Sequence, residues 1–430
     1  MSTVIVGAGL SGLTAARRLR EAGEDIVILE ATEHVAGRSR SDRERLLHGQ
    51  PGDLGASFID VGQDLLLQVC DDFGIEITPG FSLFPRDPDG GFSGASMMRN
   101  PLLLGGTLVD EVEREVLAAE VRGAIDAIPP SPTETLVAWA RRAGLSPRAT
   151  NAFTAQTGLN PVSIPEIIHM SHVHPPEIGK LCWMIADGTD TVARHLAEGL
   201  DIKLRQPVRL VSRASGRFKV ETDVETHWAD DVIVTSSVAA TRRIAFDPVL
   251  PAWKIEALLG TSMVQGGKAI TQYANGAAIR EAIPHGAVSD GHVGMAWARP
   301  LGPDDSVVVL GLVPDRGDGI LSDEPAVLDA MDDIVRSVTA AEPQRIAGFL
   351  QNWAGEEFYG GIVSLLSSNF LPLTATLGRQ IGGLHFAGEH TADTWSTAME
   401  GAMRSGMRVA DEVSQRRRSR VGLGLQSLSS

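Results

Sequence analysis

The chain has 430 residues, 43% of them hydrophobic, so it is long enough and apolar enough to form two packed domains. Its 38 Lys and Arg residues against 54 Asp and Glu residues give a formal net charge of −16, which argues against binding to nucleic acids or to anionic membranes. We therefore expect small-molecule partners.

Membrane insertion, secretion and metal binding are disfavoured as well. No stretch approaches the roughly 20 apolar residues that span a bilayer, and no charged region precedes the first hydrophobic run, so we expect a cytoplasmic protein, with a homodimer as an open alternative. Cys70 and Cys182 form no disulfide framework. His169, His172 and His174 fit no zinc pattern, so we predict no metal site and regard His172 or His174 only as candidates for facing a pocket.

The first motif is a glycine-rich turn between a predicted strand and a predicted helix. Residues 4–6 form a β-branched run, and an amphipathic stretch that ends at Gly23 follows the glycines. In such a turn Gly7 makes the bend, Gly9 lets a pyrophosphate approach the backbone at the helix N-terminus, and Gly12 lets the helix pack on the strand. The motif predicts a dinucleotide site.

The end of the next strand narrows the choice of nucleotide. Residues 26–29 form a second parallel strand, and Glu30 follows it where an acidic side chain can accept a ribose hydroxyl. An acidic residue disfavours a 2′-phosphate, so the nucleotide should be NAD-like or FAD. The glycines alone are weak evidence, but their place between strand and helix makes a doubly wound domain without a ligand the less favoured alternative.

The two segments that follow decide whether the predicted nucleotide is NAD-like or FAD. Gly37 and Arg38 in AGRSRS, and Gly55 and Ala56 in DLGASF, resemble the second and third signatures of the flavin-containing amine oxidase family, which includes monoamine oxidases, polyamine oxidases and L-amino-acid oxidases. The resemblance implies that Arg38 lies against the FAD pyrophosphate, where it would act as a bidentate clamp, and that the turn at Gly55 runs beside the flavin. Ala36 stands where the family usually has glycine, a departure that should be tolerated if φ at this position is negative.

Two segments in the middle of the chain extend the resemblance. It implies that Val208, at the start of a β-meander, touches the adenine through its backbone, and that Lys268 lies beneath the flavin and holds a water near N5. On pattern alone, a lysine on an alternating strand would be expected to face solvent. NWAGEEFYGG is similar to the monoamine oxidase segment that leads to the flavin, with Trp353, Gly360 and Gly361 as its identifying residues.

The last segment, FAGEHTADTWSTAMEGAMRSG, resembles the closing signature of the family. It implies that Gly388 and Glu389 carry the ribityl and phosphate region, and that the helix starting near Met399 points its N-terminus at the flavin pyrimidine edge, which suits a partly anionic flavin. The predicted cofactor-binding residues are Gly7, Gly9, Leu10, Ser11, Gly12, Glu30, Ala31, Gly37, Arg38, Gly55, Ala56, Ser57, Val208, Trp353, Gly388, Glu389, Ala398 and Met399.

The resemblance covers nearly the whole chain and implies an α/β (α+β mixed) fold. A Rossmann-like FAD-binding domain of the amine oxidase/p-hydroxybenzoate hydroxylase type (residues 1–68, 185–262 and 347–415) is expected to be interleaved with a substrate domain of mixed sheet plus helices (69–184 and 263–346). Apolar periodicity is lost after Gln415, so residues 416–430 are predicted to form a loose tail in which the arginines are solvated.

The sequence departs from the family pattern where a substrate would bind. Val363 and Ala398 replace the two tyrosines that cage the amine in monoamine oxidases, Ile362 replaces the cysteine that attaches FAD covalently, and Phe58 replaces the arginine that binds the carboxylate in amino-acid oxidases. We therefore expect non-covalent FAD and an amine without an α-carboxylate, since a buried carboxylate would lack its partner. The predicted substrate pocket is Phe58, Trp183, Val363 and Ala398, unless other aromatics, Trp183, Trp353, Trp395, Phe358 or Tyr359, rebuild its wall.

Three functions are compatible with these residues. The favoured one is an FAD-dependent oxidase that takes a hydride from the carbon next to an amine nitrogen and passes electrons to dioxygen, with Lys268 as the catalytic residue. The second is a biosynthetic dehydrogenase or desaturase acting on an amide C-N or C-C bond, which the missing tyrosine cage motivates. The third is a flavoprotein that binds without turnover, against which Lys268 and Trp353 count.

Overall fold

A computed structural model of the chain describes residues 2–82, 100–129, 136–156, 181–364 and 370–427. The predicted mixture of helices and sheets is confirmed. The strands in these ranges are β1 Ser2–Val6, β2 Asp25–Leu29, β3 Ser41–Asp42, β4 Gly52–Asp53, β5 Ile59–Asp60, β6 Leu102–Leu104, β7 Thr107–Leu108, β8 Cys182–Trp183, β9 Ile202–Lys203, β10 Val208–Ala214, β11 Arg217–Thr222, β12 Thr226–Ala229, β13 Asp231–Val234, β14 Ala245–Asp247, β15 Gly266–Tyr273, β16 Ala287–Ser289, β17 Met295–Ala298, β18 Val307–Pro314, β19 Arg345–Asn352 and β20 Leu384–Phe386.

The helices alternate with these strands over much of the chain, as expected for an α/β fold. They are α1 Leu10–Glu21, α2 Asp64–Asp72, α3 Glu111–Ala127, α4 Leu136–Arg142, α5 Pro147–Ala155, α6 Asp190–Ala197, α7 Val238–Thr241, α8 Ala252–Gly260, α9 Gly276–Ala282, α10 Glu324–Thr339, α11 Phe370–Gly378 and α12 Met399–Ser427.

A five-stranded parallel sheet in the order β20-β13-β1-β2-β9 positions the nucleotide motif. Val4 of β1 pairs with Val232 on one side and with Val27 on the other. These strands are almost continuously apolar because a parallel sheet is covered on both faces, and separate hydrophobic clusters contain Ile5 on one face and Val4 on the other. The strand, turn and helix predicted for residues 4–23 are therefore observed.

Two further sheets carry the other predicted segments. The meander starting at Val208 forms a four-stranded sheet in the order β12-β11-β10-β14. Its β10-β11 turn places Ser215 and Gly216 at φ +53° and +79°, the left-handed values that a tight hairpin requires. The third sheet has seven strands in the order β19-β15-β18-β17-β16-β6-β7 and carries Lys268 on β15.

The seven-stranded sheet also bears on a predicted domain boundary. We placed 347–415 with the FAD-binding segments, but residues 347–352 belong to β19, which pairs antiparallel with β15. The proposed boundary is therefore better set after Asn352. The alternation of β19 resembles that of a meander strand in either domain, so sequence alone could not assign it.

The C-terminal tail is the clearest difference from the expected fold. Residues after Gln415 were predicted to be loose, yet α12 continues to Ser427. Arg417 is only 4% exposed: its Nε donates to Asp231 at 3.2 Å, one Nη donates to Thr3 at 2.7 Å, and the guanidinium pairs with Glu24. Asp231 is fully buried in the parallel sheet and requires cationic partners, which is why an arginine-rich segment is ordered here.

Replacing Arg417 by Ala is expected to lower the free energy of unfolding by about 3 kcal/mol, because it removes a buried partner of two carboxylates. Arg418→Ala provides a matched control, since Arg418 is exposed on the same helix. Urea unfolding measures both variants. Equal stability of the two would show that the Arg417 network does not stabilise the protein.

Candidate functional site

One cavity collects most of the predicted cofactor residues. It lies at the carboxyl ends of β1, β2, β13 and β20, the position where open α/β sheets bind ligands. We call it the central cavity. The predicted residues that line it are Gly7, Gly9, Leu10, Ser11, Glu30, Ala31, Gly37, Arg38, Gly55, Ala56, Val208, Trp353, Val363, Gly388, Glu389, Ala398 and Met399.

The glycines of the first turn play different roles in the structure. Gly7 has φ +109°, which favours glycine. A Cβ on Gly12 would lie 2.1 Å from the Gly7 carbonyl oxygen, so Gly12 permits α1 to pack against the turn rather than lining the cavity. Gly9 has no heavy atom within 4 Å of its Cβ direction. Its cavity-facing side at the start of α1 is open to a ligand, as the nucleotide motif requires.

Glu30 is held by its neighbours and faces the cavity with its carboxylate buried. Its Oε2 accepts the Ala8 N–H at 2.7 Å, and its Oε1 accepts the Thr32 N–H and hydroxyl, each at 2.9 Å. These bonds connect the end of β2 to the glycine turn. A carboxylate has about four acceptor sites, so capacity for a ribose hydroxyl donor remains.

The Arg38 segment differs from the expectation at Ala36. The condition for tolerating alanine at position 36, a negative φ, is not met, because φ is +78°, in the left-handed region. An N–H donated to the Ala8 carbonyl at 2.9 Å and near-complete burial fix the residue there. Such a conformation costs about 1 kcal/mol for alanine relative to glycine, and sequence periodicity does not reveal it.

Arg38 connects distant segments around the cavity. Its Nη1 donates to the Ile362 carbonyl at 3.0 Å and to Glu389 Oε1 at 3.1 Å. Burial acts to raise the pKa of Glu389, but Arg38, His390 and a 2.7 Å bond from the Ser364 hydroxyl outweigh it and lower the pKa. Glu389 is therefore an anion, and its buried Oε2 has no partner within the described residues.

One part of the cavity lining is mostly apolar and surrounds Trp353. Trp353 is 1% exposed and its indole donates to the Leu54 carbonyl at 2.6 Å. A Cβ on Gly55 would lie 1.8 Å from the Arg38 carbonyl oxygen and 3.4 Å from the Trp353 ring. Glycine at position 55 thus lets the chain pass between Arg38 and Trp353, with Ile362 and Val363 lining the same region.

Lys268 is buried directly behind this part of the cavity. Its Nζ donates to the Gly55 carbonyl at 2.6 Å and to the Ser57 hydroxyl at 2.5 Å, and lies 4.8 Å from the Trp297 ring centroid. Burial lowers the pKa of Lys268 to about 7, with the charge of Asp53 opposing and that of Arg299 adding to the shift. The lysine can therefore hold or release a proton near neutral pH. Ser57, predicted to bind cofactor, contacts Lys268 instead of lining the cavity.

Two of the four predicted substrate residues do not line the central cavity. Phe58 packs in an aromatic cluster, with its ring centroid 5.0 Å from Trp297 and 5.9 Å from Phe81. Trp183 is half-buried on β8, where it pairs with Ile59. The histidines at 169, 172 and 174 lie outside the described residues, and among those that the structure describes no group of His, Cys, Asp and Glu could hold a metal.

Sequence reasoning missed a polar segment that lines the cavity. Thr235, Ser236 and Ser237 line the cavity directly after β13, and the Thr235 hydroxyl donates to the carbonyls of Val6 and Gly7 at 2.9 and 3.1 Å. The position of TSS after a parallel strand was the available signal. The other lining residues not predicted are Val6, Leu29, Ala36, Ser39, Gln206, Pro207, Arg209, Ala240, Arg243, Ile244, Ile362, Thr397 and Ala402. Trp353, Phe358 and Tyr359, three of the aromatics that could rebuild a pocket wall, line the cavity.

Comparison with known proteins agrees with this geometry. The model of the family described as flavin containing amine oxidoreductase matches residues 10–414. The chain belongs to this family. A Mycobacterium tuberculosis protein named as a flavin-containing monoamine oxidase is 27% identical over 96% of each chain, and polyamine oxidase 7 of Oryza sativa subsp. japonica is 25% identical over 94% of this chain and 93% of its own.

Solved structures of two amine oxidases share the fold. Cyclohexylamine oxidase from Brevibacterium oxydans IH-35A superposes with a TM-score of 0.78 at 19% identity, covering 97% of this chain and 99% of its own. A putrescine oxidase variant superposes with a TM-score of 0.76 at 19% identity, covering 96% and 98%. The described part of this flavin amine oxidoreductase contains no helix long and apolar enough to cross a membrane.

The predicted family, enzyme class and FAD cofactor are thereby confirmed, and the cavity fits FAD on structural grounds. It is open beside Gly9, where a pyrophosphate would approach the start of α1, and Arg38 lies on the same cavity wall. The buried Glu389 Oε2 has no protein partner among the described residues and can accept a bond from a ligand hydroxyl.

Proposed function

We propose that this flavin amine oxidoreductase oxidises the C-N bond of an amine to an imine, with dioxygen as the electron acceptor. The observation that carries the proposal is the buried Lys268, with Nζ on the Gly55 carbonyl at the apolar end of the central cavity. Bound FAD would supply the redox chemistry: it would take up a hydride from the carbon next to the amine nitrogen while the nitrogen loses a proton, and two electrons and two protons would convert dioxygen to hydrogen peroxide.

The protein residues orient the substrate, exclude water from the reacting end of the cavity and place a positive charge there. Trp353, Ile362, Val363 and Ala398 provide apolar surface at the reacting end and exclude water. Lys268 holds a proton at Nζ and, through it, a water. A substrate that enters as the neutral amine needs no general base to expose its nitrogen lone pair.

We further propose that the substrate lacks an α-carboxylate. Phe58 packs on Trp297 and Phe81, so the position that holds an arginine in amino-acid oxidases presents an aromatic ring with no donor for a carboxylate. Burying an unpaired carboxylate costs several kcal/mol. A peroxide assay on matched pairs, phenethylamine against phenylalanine and putrescine against ornithine, should show faster oxidation of the amine in each pair. Faster oxidation of both amino acids would refute the substrate class.

A dehydrogenase or desaturase of a specialised metabolite is the second candidate. Val363 and Ala398 line the cavity without the aromatic cage of monoamine oxidases. Under this alternative, none of the amines would yield peroxide, and substrate-dependent reduction would require an artificial electron acceptor. Peroxide formation from any simple amine or polyamine at an ordinary rate favours the oxidase.

We propose that FAD is bound without a covalent link. Ile362 has no nucleophilic atom, and both cysteines are buried, with burial raising the pKa of the Cys70 thiol to about 11. Neither cysteine lines the central cavity within the described residues. Acid precipitation of the purified protein should release the yellow chromophore into the supernatant, whereas colour in the pellet would reveal an attachment site.

Reaction with dioxygen is expected to weaken as pH rises. The Lys268 pKa of about 7 means that its ammonium is present below pH 7 and lost above it. A positive charge stabilises the negative charge that develops on dioxygen, so the rate constant for reoxidation should fall through pH 7. Stopped-flow mixing of reduced protein with oxygenated buffer measures this rate. A profile that rises through pH 7 would contradict the assigned role.

Cytoplasmic location and dimerisation stay predictions of the sequence.

A further inference from the structure

Tyr359 is a cavity residue whose polar group has no evident function within the protein. It is 7% exposed, lines the central cavity, and packs edge-on against Trp353 with ring centroids 4.9 Å apart and planes at 82°. The Arg40 guanidinium carbon lies 5.7 Å from its ring centroid. These contacts fix the ring, and therefore the direction of its hydroxyl.

The Tyr359 hydroxyl is buried and makes no hydrogen bond of ordinary geometry to the described residues. Burial raises the pKa of Tyr359 to about 12, and the negative charge of Glu30 adds to the rise, while the charge of Arg40 and a hydrogen-bonding contact with the Thr32 side chain oppose it. The Thr32 hydroxyl already donates to Glu30 and to the His34 carbonyl, and its contact with Tyr359 does not have the geometry of an ordinary hydrogen bond. The Tyr359 hydroxyl is therefore protonated and can donate a hydrogen bond, and it lies close enough to the Glu30 carboxylate at the end of β2 to interact with its charge. A buried donor without an acceptor destabilises a protein by about 1–3 kcal/mol.

The second tyrosine of the chain provides a comparison. Only two tyrosines are present, and the other, Tyr273 on β15, is fully buried and donates its hydroxyl to Asp332 at 2.9 Å. Buried tyrosine hydroxyls normally have such a partner. Since the Tyr359 hydroxyl lies in a ligand cavity and lacks one, its acceptor is expected to come from the ligand.

We propose that the Tyr359 hydroxyl donates a hydrogen bond to an oxygen of the ADP half of bound FAD, on the side of the cavity where Glu30 lies. The ribose and pyrophosphate oxygens are acceptors, and Glu30 and Gly9 place that half beside the ends of β1 and β2. Through its hydroxyl Tyr359 would contact the ADP half of FAD, and through its ring it contacts Trp353. This role rests on the cofactor and is independent of which substrate the enzyme oxidises.

The experiment compares Tyr359→Phe with Tyr273→Phe, which removes the only other phenolic hydroxyl. Apoprotein is titrated with FAD while flavin fluorescence is followed, and ADP and FMN are tested as separate competitors. Tyr359→Phe should weaken FAD binding about five- to tenfold, weaken ADP binding by a similar factor, and leave FMN binding unchanged. Tyr273→Phe should leave all three affinities unchanged.

Thermal unfolding separates a ligand contact from a structural one. Tyr359→Phe should leave the apoprotein at least as stable as the parent, because no protein hydrogen bond of ordinary geometry is lost, and should reduce the rise in Tm that FAD produces. Tyr273→Phe should lower the apoprotein Tm. Unchanged FAD affinity in Tyr359→Phe, a loss seen with FMN but not ADP, or a lowered apoprotein Tm at unchanged FAD affinity would each overturn the proposal. None of these readouts depends on turnover of an amine, so they remain decisive if the proposed substrate class is wrong.

Discussion

Replacement of Lys268 by Met is expected to slow the reaction of the reduced enzyme with dioxygen on the order of 100-fold, the loss seen when one preorganised charge or donor is removed from a dry site. Met has a similar length, so the buried volume changes little, while the ammonium and its bonds to Gly55 and Ser57 disappear. Anaerobic reduction of the flavin by substrate should change much less, since it draws on orientation by the apolar cavity end. Stopped-flow measurement of the two half-reactions separates them.

Lys254→Met is the matched control for this experiment. Lys254 is the other fully buried lysine among the described residues; burial lowers its pKa to about 7, and its Nζ donates to the carbonyls of Thr376 and Leu377 at the end of α11. It does not line the central cavity. Its loss should reduce stability without a selective effect on the oxygen reaction. Equal slowing of both half-reactions in Lys268→Met would remove the assignment of Lys268 to oxygen chemistry.

Gly9→Ala should weaken FAD binding about tenfold or more, equivalent to at least roughly 1.4 kcal/mol, while leaving the apoprotein as stable as the parent. Gly9 has φ −76°, which alanine adopts freely, and its added Cβ would meet no described protein atom within 4 Å. The Cβ would instead enter the space through which a pyrophosphate reaches the start of α1. FAD titration and apoprotein unfolding in urea give the two quantities.

Gly12→Ala, three residues later, should behave in the opposite way. Its Cβ would lie 2.1 Å from the Gly7 carbonyl oxygen and 2.9 Å from the Thr235 hydroxyl, so α1 must move and the apoprotein should lose about 1–3 kcal/mol of stability. The pair distinguishes a glycine needed for the ligand from one needed for packing. If Gly9→Ala bound FAD as tightly as the parent, the pyrophosphate would not run over Gly9.

The sequence located the lining of the central cavity best where local backbone geometry sets the residue type. Gly7 and Gly388 have positive φ and Gly55 passes close to Arg38, and these three glycines line the cavity together with Gly9 and Glu30. The sequence did not predict the environment of residues whose contacts come from distant segments of the chain. Arg417 is ordered by Asp231, and Tyr359 lies beside Glu30 because of the tertiary fold. Ala36 has a positive φ, which a residue other than glycine normally avoids and which the surrounding contacts impose here.

The strand order of the parallel sheet has a consequence for the co-translational folding of this enzyme. β1 (Ser2–Val6) leaves the exit tunnel long before its neighbour β13 (Asp231–Val234), and β20 (Leu384–Phe386), which pairs with β13, emerges later still. Gly388, Glu389 and Met399, which complete the cavity, come after β20. The cavity therefore cannot be completed until the residues after β20 have been made, and β1 and β2 must wait for their distant partners β13 and β9, contacts that form slowly because they are long-range.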